Sequence, residues 1–145
     1  MTTPEWTRPA ERWRLLAPED VTVVRSGRLA GREATVRQLR ALQPGAPVVL
    51  LDERPGGRAR TRRLALAGRI AVERGYVAVP SLRNPIVFAE DSVDCLRWVS
   101  RSLLTTPPGV TWLHAVVDAG IRLLRRRPHL LGQLAAGRVV VGRRV

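Results

Sequence analysis

The sequence predicts an α/β domain with an open sheet of about four to six strands. Its 145 residues are enough to bury a core, and 45% hydrophobic and 26% charged residues are globular proportions. Strand-like and helix-like patterns alternate along the chain, the order that places helices on a largely parallel sheet. The clearest strand, Pro47–Asp52, is continuously apolar, as expected for a strand buried on both faces.

The first part of the chain predicts an N-terminal arm followed by a strand and a helix. Residues 1–20 form the arm, with a short amphipathic helix over Trp6–Leu16 that ends before Pro18. Its tryptophans, Trp6 and Trp13, are placed to cover either the chain's own sheet or a partner. The β-branched run Val21–Val24 predicts a strand, and Glu33–Leu42 has apolar residues at helical spacing.

The middle of the chain predicts a basic helix and further strands. The helix spans Arg58–Gly68, after the Pro-Gly-Gly loop. Ile70–Val72 and Tyr76–Val79 are strand-like on either side of Gly75, and Ile86–Ala89 is a weaker strand.

Residues 92–136 predict a helical insert before the last strand, Arg138–Arg143. Ser92 can cap the first helix, and the second helix extends over Val110–Arg127, whose basic end complements the helix dipole. Leu130–Ala136 adds one or two further turns. The apolar residues expected to face inward are Val93, Leu96, Val99 and Leu103 in the first helix, and Leu113, Val116, Val117, Ile121 and Leu124 in the second.

The charge of the chain is strongly positive and unevenly distributed. All 25 basic residues are arginine, which suggests a GC-rich genome, and the formal net charge is +13. The fifty residues after Cys95 contain nine arginines and one acidic residue, Asp118, a net charge of +8. Such a charge attracts nucleic acid, anionic lipid or an acidic partner surface. Nucleic acid is the weakest of these predictions, because residues 58–74 contain no aromatic side chain for base stacking.

Three segments in order carry a resemblance to a known family. The segment Leu39–Leu50 looks like the late helix, Pro-Gly turn and fifth strand of class I S-adenosylmethionine methyltransferases. Gly75–Leu82 and Gly137–Arg144 follow, separated by the helical insert. Together they resemble the closing half of methyltransferase-like proteins of actinobacterial natural-product clusters. The resemblance covers residues 21–145 and makes Val21–Val24 the fourth strand of a truncated Rossmann-like sheet.

The family's cofactor-binding features are not found in this sequence. A methyltransferase of this class binds its cofactor at a glycine-rich turn after the first strand and at an acidic residue after the second. The glycines between Arg25 and Gly31, and those after Pro55, have the wrong spacing or context. We therefore expect no bound cofactor and a chain that does not methylate alone.

A sheet without its first strands would expose an edge and an apolar face, which predicts a protein partner. The resemblance thus implies a non-catalytic accessory subunit of a hetero-oligomeric enzyme in natural-product biosynthesis, acting on a ribosomally made peptide. One alternative is a small peptide-modifying enzyme, such as an epimerase or dehydratase of linaridin type. Another is a basic module that binds nucleic acid or a membrane surface.

Cys95, His114 and Asp118 are the residues to which a catalytic role is assigned. A thiolate, an imidazole and a carboxylate are the groups that nucleophilic catalysis combines. His114 and Asp118 are four residues apart on one predicted helix. The opposing interpretation is a small core cysteine and a polar stripe on the helix.

Asp52 and Glu53 follow a buried strand, where open α/β sheets bind ligands. The basic helix carries four arginines that could bind a ligand or a partner, namely Arg58, Arg60, Arg62 and Arg63. The alternative is that they form a solvated helix face.

Several functions are not expected. The N-terminus has no secretory signal, no stretch approaches the ~18 apolar residues of a membrane span, and one cysteine with two histidines forms no familiar metal set. We expect a cytoplasmic protein without metal, whose only contact with a membrane would be peripheral.

Overall fold

The computed structural model describes residues 8–26, 31–105 and 112–145. They form one five-stranded mixed sheet with five α-helices, which confirms the predicted α/β class and strand number. The strands are β1 (Thr22–Arg25), β2 (Pro47–Asp52), β3 (Ile70–Val79), β4 (Val87–Glu90) and β5 (Arg138–Arg144). The helices are α1 (Arg32–Ala41), α2 (Gly57–Gly68), α3 (Val93–Ser102), α4 (Trp112–Arg126) and α5 (His129–Leu134).

The strand order is β1-β2-β5-β3-β4. β1 runs parallel to β2, with Thr22 opposite Val48, and every other neighbouring pair is antiparallel. The expectation that β2 lies in a parallel sheet is therefore half right, since its neighbour β1 is parallel to it and its neighbour β5 is antiparallel. The last strand, β5, lies between β2 and β3 and runs antiparallel to both. β1, β2 and β3 therefore run in the same direction, although β3 is not a neighbour of β2.

Helices α1 and α2 cover one face of the sheet. Leu39 of α1 and Leu64 of α2 pack on Val48 and Leu50 of β2. The two helices approach closely because Gly68 has no side chain, and a Cβ there would lie 2.7 Å from the Leu39 Cδ1 atom. This packing holds the first turns of both helices over the carboxyl ends of β1 and β2.

The N-terminal segment covers the opposite face. Trp13 is only 1% exposed and packs on Val49 and Leu51 of β2 and on Val139 of β5. The segment is a 3-10 helix over Pro9–Leu16 rather than the predicted α-helix. Trp13 therefore covers the chain's own sheet and is not available to a partner, whereas Trp6 lies outside the described residues.

The strand predictions on either side of Gly75 merge into the single strand β3. A register shift between Val72 and Arg74 accommodates the extra residue, which explains why the apolar alternation breaks there. β4 begins one residue later than predicted and leaves Ile86 79% exposed.

Helices α3, α4 and α5 lie between β4 and β5 in the chain. The Ser92 hydroxyl accepts a hydrogen bond from the Cys95 N–H (3.3 Å), which confirms the predicted cap of α3. Leu96 and Val99 are buried as predicted, but Val93 and Leu103 are exposed.

Helix α4 differs most from its prediction. Leu113 and Val116, expected to face inward, are 55% and 60% exposed, and Val117 is 38% exposed. Only Ile121 is buried, while Leu124 packs partly on the cluster around Val99. The reason is that α4 packs against α3 and α5, so only a narrow stripe is covered. The predicted start at Val110 lies outside the described residues.

Candidate functional site: an arginine-lined cleft

Asp52, the last residue of β2, is the centre of a buried polar cluster. Its side chain is 0% exposed, and both carboxylate oxygens accept hydrogen bonds. Arg60 of α2 donates from Nε to Oδ2 (2.8 Å) and from an Nη to Oδ1 (3.1 Å). The Ser26 hydroxyl donates to Oδ2 at 2.6 Å, and the Arg54 backbone N–H donates to Oδ1 at 2.9 Å. Asp52 thus joins the ends of β1 and β2 to helix α2.

These contacts keep Asp52 ionised. Burial raises the pKa of the carboxyl group, but the hydrogen bonds from Arg60, Ser26 and Arg54 and the charge of Arg60 outweigh it and hold the pKa below its ordinary value. The same hydrogen bond raises the pKa of Arg60. Asp52 is therefore a fixed anion that orients Arg60, and it is unsuited to proton transfer near neutral pH.

A cleft of about 370 Å³ opens beside this cluster. It lies beyond the carboxyl ends of the parallel strands β1 and β2, where open α/β sheets bind ligands. Ser26 follows β1, and α1 and α2 supply the two walls. The lining residues are Ser26, Arg32, Thr35, Arg54, Arg60, Arg63 and Leu64.

The cleft is strongly cationic. Four of its lining residues are arginines and none is acidic. Arg60 neutralises Asp52 and also donates to the carbonyls of Arg54 and Pro55 (2.9 and 2.7 Å). Arg32 and Arg63, by contrast, make no ion pair or side-chain hydrogen bond with any other residue that the structure describes. Two guanidinium groups are therefore available to an anion in the cleft.

The other residues of the predicted ligand site lie outside the cleft. Glu53 forms ion pairs with Arg25 (2.6 Å) and Arg83 (3.6 Å). The adjacent carboxylates of Asp52 and Glu53 therefore bind different arginines. Arg58 lies 3.5 Å from Asp91 and, with Arg62, faces a second groove of about 450 Å³. Of the four arginines of the basic helix, Arg60 and Arg63 thus line the cleft, and Arg58 and Arg62 line the second groove.

Sequence reasoning missed Ser26, Arg32 and Arg54 as members of the site. Ser26 could have been found, because it comes directly after β1, Asp52 is the last residue of β2, and the ends of parallel neighbouring strands meet at one edge. Arg32 had no such signal, since its position depends on how α1 packs.

A second missed feature is the buried ion pair of Arg138 and Asp91 in the second groove. Arg138 is 6% exposed, contacts Asp91 Oδ2 and donates to the Gly132 carbonyl (3.1 Å). It ties the first residue of β5 to the turn after β4. An arginine directly before the apolar run Val139–Val141 is the available sequence signal, because a buried arginine requires a partner.

The three proposed catalytic residues are distributed over two helices. Cys95 lies in α3 and packs partly on the cluster around Leu96, while His114 and Asp118 are half-buried on α4. Asp118 forms an ion pair with Arg122. No hydrogen bond joins the Cys95 thiol to either residue in the described part of the chain. The catalytic assignment therefore stays a prediction.

The described ranges contain neither a metal-binding cluster nor a membrane-spanning helix. No group of three or more His, Cys, Asp or Glu residues in them could hold a metal ion. None of the helices in 8–26, 31–105 and 112–145 combines the length and apolar character needed to cross a bilayer.

Comparisons with protein-family models, with curated proteins and with solved structures found no match.

Proposed function

We propose that this chain is a partner-dependent, methyltransferase-like accessory subunit, whose partner adds a strand at the open edge of β1. One observation carries the proposal: β1 pairs with β2 on one side, and no strand of the described residues pairs on its other side. The arginine-lined cleft opens at the end of this same strand.

The unpaired groups of the β1 edge can be identified. The Ser26 N–H donates to the Leu51 carbonyl (2.7 Å) and so points towards β2. Because alternate residues of a strand point their N–H groups to the same side, Thr22 and Val24 also donate towards β2. The N–H groups of Val23 and Arg25 therefore point away from the sheet. They offer an added strand two donors.

The position of this edge agrees with the family resemblance. That resemblance makes β1 the fourth strand, and in the doubly wound order 3-2-1-4-5-6 the fourth strand lies beside the first. The first strand is the one followed by the cofactor-binding turn. A partner strand at β1 would bring its own cofactor turn next to the cleft, while this chain would supply the arginines. The antiparallel β5 beside β2 is the departure from that order.

The test uses a proline that removes one outward N–H. Arg25→Pro leaves the bonds between β1 and β2 in place, because the Arg25 N–H points away from β2, and proline is tolerated at an edge. Arg25→Ala is the matched control, since both variants lose the ion pair with Glu53. Each is co-expressed with the proteins encoded beside its gene, and thermal unfolding shows that both fold.

We expect the unsubstituted chain and Arg25→Ala to form a complex with the partner, and Arg25→Pro to bind it at least ten-fold more weakly. In the complex of the unsubstituted chain, the Val23 and Arg25 amides should exchange hydrogen more slowly than in the free chain. A chain that is monomeric and stable beside every candidate partner would overturn the proposal. Equal binding by Arg25→Pro and Arg25→Ala would do the same.

A second candidate function, binding of an oxyanion, is favoured by the two available guanidinium groups of the cleft. Phosphate and carboxylate groups suit the fork geometry of arginine. Titration with inorganic pyrophosphate at low salt should give binding that Arg32→Ala and Arg63→Ala each weaken about ten-fold. Arg62→Ala is the control, because Arg62 lines the second groove and not the cleft. Equal weakening by all three variants would indicate general charge attraction instead.

The role in modifying a ribosomal peptide stays a prediction from the sequence. The same holds for the alternative of an enzyme that uses Cys95, His114 and Asp118. Full activity of a reconstituted complex containing Cys95→Ala or His114→Ala would argue against that enzyme.

A further inference from the structure

Helix α4 presents a continuous apolar stripe to solvent. Trp112, Val116 and Leu123 are 78%, 60% and 49% exposed, and the exposed Ala119 lies between the last two. At 100° per residue these four positions fall within a sector of about 60°. A tryptophan and two aliphatic side chains aligned in this way are unusual on a surface, where single exposed apolar residues are normal but aligned ones mark a contact site.

The stripe cannot be buried by rotation of the helix. On the opposite side of α4, Ile121 is buried and Leu124 packs on the cluster around Val99. Arg125 donates to the carbonyl oxygens of Ser100 (3.3 Å) and Leu104 (3.0 Å), which fixes α4 to the end of α3. The helix therefore has two apolar sides: one packs on the rest of the protein, and the other faces solvent.

Positive charge borders the stripe. Arg122 and Arg126 are one turn apart and line a shallow groove together with Ala119 and Leu123. Arg127 follows directly after the helix. The acidic residue of this helix, Asp118, is in an ion pair with Arg122. A surface that contacts the stripe would thus meet the guanidinium groups of Arg126 and Arg127 beside the ion pair of Arg122 and Asp118.

We propose that the outward face of α4 docks on an anionic lipid membrane surface, lying in its plane. A basic amphipathic helix with an aromatic residue binds in this way, with its apolar side chains below the headgroups and its arginines among them. At 1.5 Å per residue, the fifteen residues of α4 extend about 22 Å along the surface. The outward face of α4 shares no residue with the β1 edge, so membrane docking does not depend on the proposed partner at β1.

Charge decides between lipid and a second copy of the chain. A symmetric dimer through this stripe would bring together two molecules that each carry a net charge of +13, with Arg126 and Arg127 at the border of each contact surface. An anionic bilayer neutralises the same groups. It also accepts a convex ridge of side chains without needing a matching groove.

The experiment is co-sedimentation of the full chain with vesicles. The vesicles are phosphatidylcholine alone, or phosphatidylcholine with about a third phosphatidylglycerol. Leu123→Glu places a charge in the stripe. Leu66→Glu is the matched control, because Leu66 is also an exposed helix leucine (70%) but lies on α2. Thermal unfolding shows whether both variants fold.

We expect binding to the anionic vesicles that Leu123→Glu weakens at least ten-fold and Leu66→Glu leaves within two-fold. Arg126→Ala should weaken binding several-fold, and raising the salt concentration should weaken it for every variant. Absence of binding to anionic vesicles at low salt would overturn the proposal, and so would equal binding by the two glutamate variants or equal binding to the neutral vesicles. A dimer that Leu123→Glu dissociates, in a chain that ignores vesicles, would assign the stripe to self-association instead.

Discussion

Replacing Asp52 with asparagine tests the buried cluster that joins β1, β2 and α2. The substitution keeps the size of the side chain and removes its charge. One oxygen can still accept from the Arg54 N–H and from one Arg60 nitrogen, but the new amide group faces the Arg60 Nε–H, which is itself a donor. We therefore expect the loss of one charge-assisted hydrogen bond and the weakening of the others.

The magnitude follows from these contacts. A hydrogen bond to a charged group contributes about 1.5–3 kcal/mol, and loss of one partner of a fully buried pair costs about 3–5 kcal/mol. The Arg60 side chain is 36% exposed and can recover part of its hydration, so the cost falls below that of a fully buried pair. We expect Asp52→Asn to lower the free energy of unfolding by about 2–3 kcal/mol, which corresponds to a decrease of about 6–9 °C in the thermal unfolding midpoint.

The effect should depend on pH in a defined direction. Because the folded-state pKa of Asp52 is below its unfolded value of about 3.9, the unfolded state binds the proton first as the pH falls. The stabilisation is present in full above about pH 5 and is lost as the pH falls through the folded-state pKa. The gap between the two proteins should therefore narrow progressively as the pH falls below about 4.

Urea unfolding from pH 7 to pH 3 measures this gap, and a double-mutant cycle with Arg60→Gln isolates the pair. Glu73→Gln is the control, because Glu73 has the same 2.8 Å contact to an arginine but both side chains are about half exposed. It should cost less than about 1 kcal/mol. A gap for Asp52→Asn below about 0.5 kcal/mol at pH 7, or one that persists unchanged at pH 3, would refute the reasoning.

Three further predictions concern other parts of the molecule. Gly142→Ala should destabilise the fold by more than about 2 kcal/mol, because a Cβ there would lie 2.3 Å from the Ala71 carbonyl oxygen. Gly120→Ala on α4 should instead stabilise the fold by about 0.5–1 kcal/mol, because a Cβ there would have open space. Equal thermal unfolding midpoints for the two variants would contradict this reasoning. Ser92→Ala should cost about 1 kcal/mol by loss of the α3 cap, with Ser92→Thr close to the unsubstituted protein in the same measurement. Calorimetric titration of the isolated chain with S-adenosylmethionine should give no heat, and micromolar binding would show that a cofactor site exists in this chain.

The sequence predicted local structure well wherever a pattern had one physical explanation. The apolar run of β2, the Ser92 cap and the Pro-Gly breaks all place elements within a residue or two of their observed bounds. Residue order could not show that β5 enters between β2 and β3, because strand pairing depends on long-range packing. It also could not tell which side of α4 faces inward, since that helix is apolar on both sides.

The candidate site was predicted in part. Asp52, Arg60 and Arg63 were identified from their positions after a strand and on a basic helix. Their separation from Glu53, Arg58 and Arg62 could not be predicted, because it is set by the rotation of α2 on the sheet. Arg32 enters the cleft only through the packing of α1 on α2, a tertiary contact that the Gly68 and Leu39 pair makes possible.

The central position of β5 has a consequence for biosynthesis on the ribosome. β1 with β2, and β3 with β4, make two separate ladders, and β5 is the strand that connects them. Its pairing of Val48 with Gly142 joins residues separated by about two thirds of the sequence, so the nascent chain cannot close its sheet until the residues of β5 have left the exit tunnel. Until then the strand edges that β5 will cover stay open to other chains. A chaperone, or early docking of a partner, would protect this molecule most in that interval.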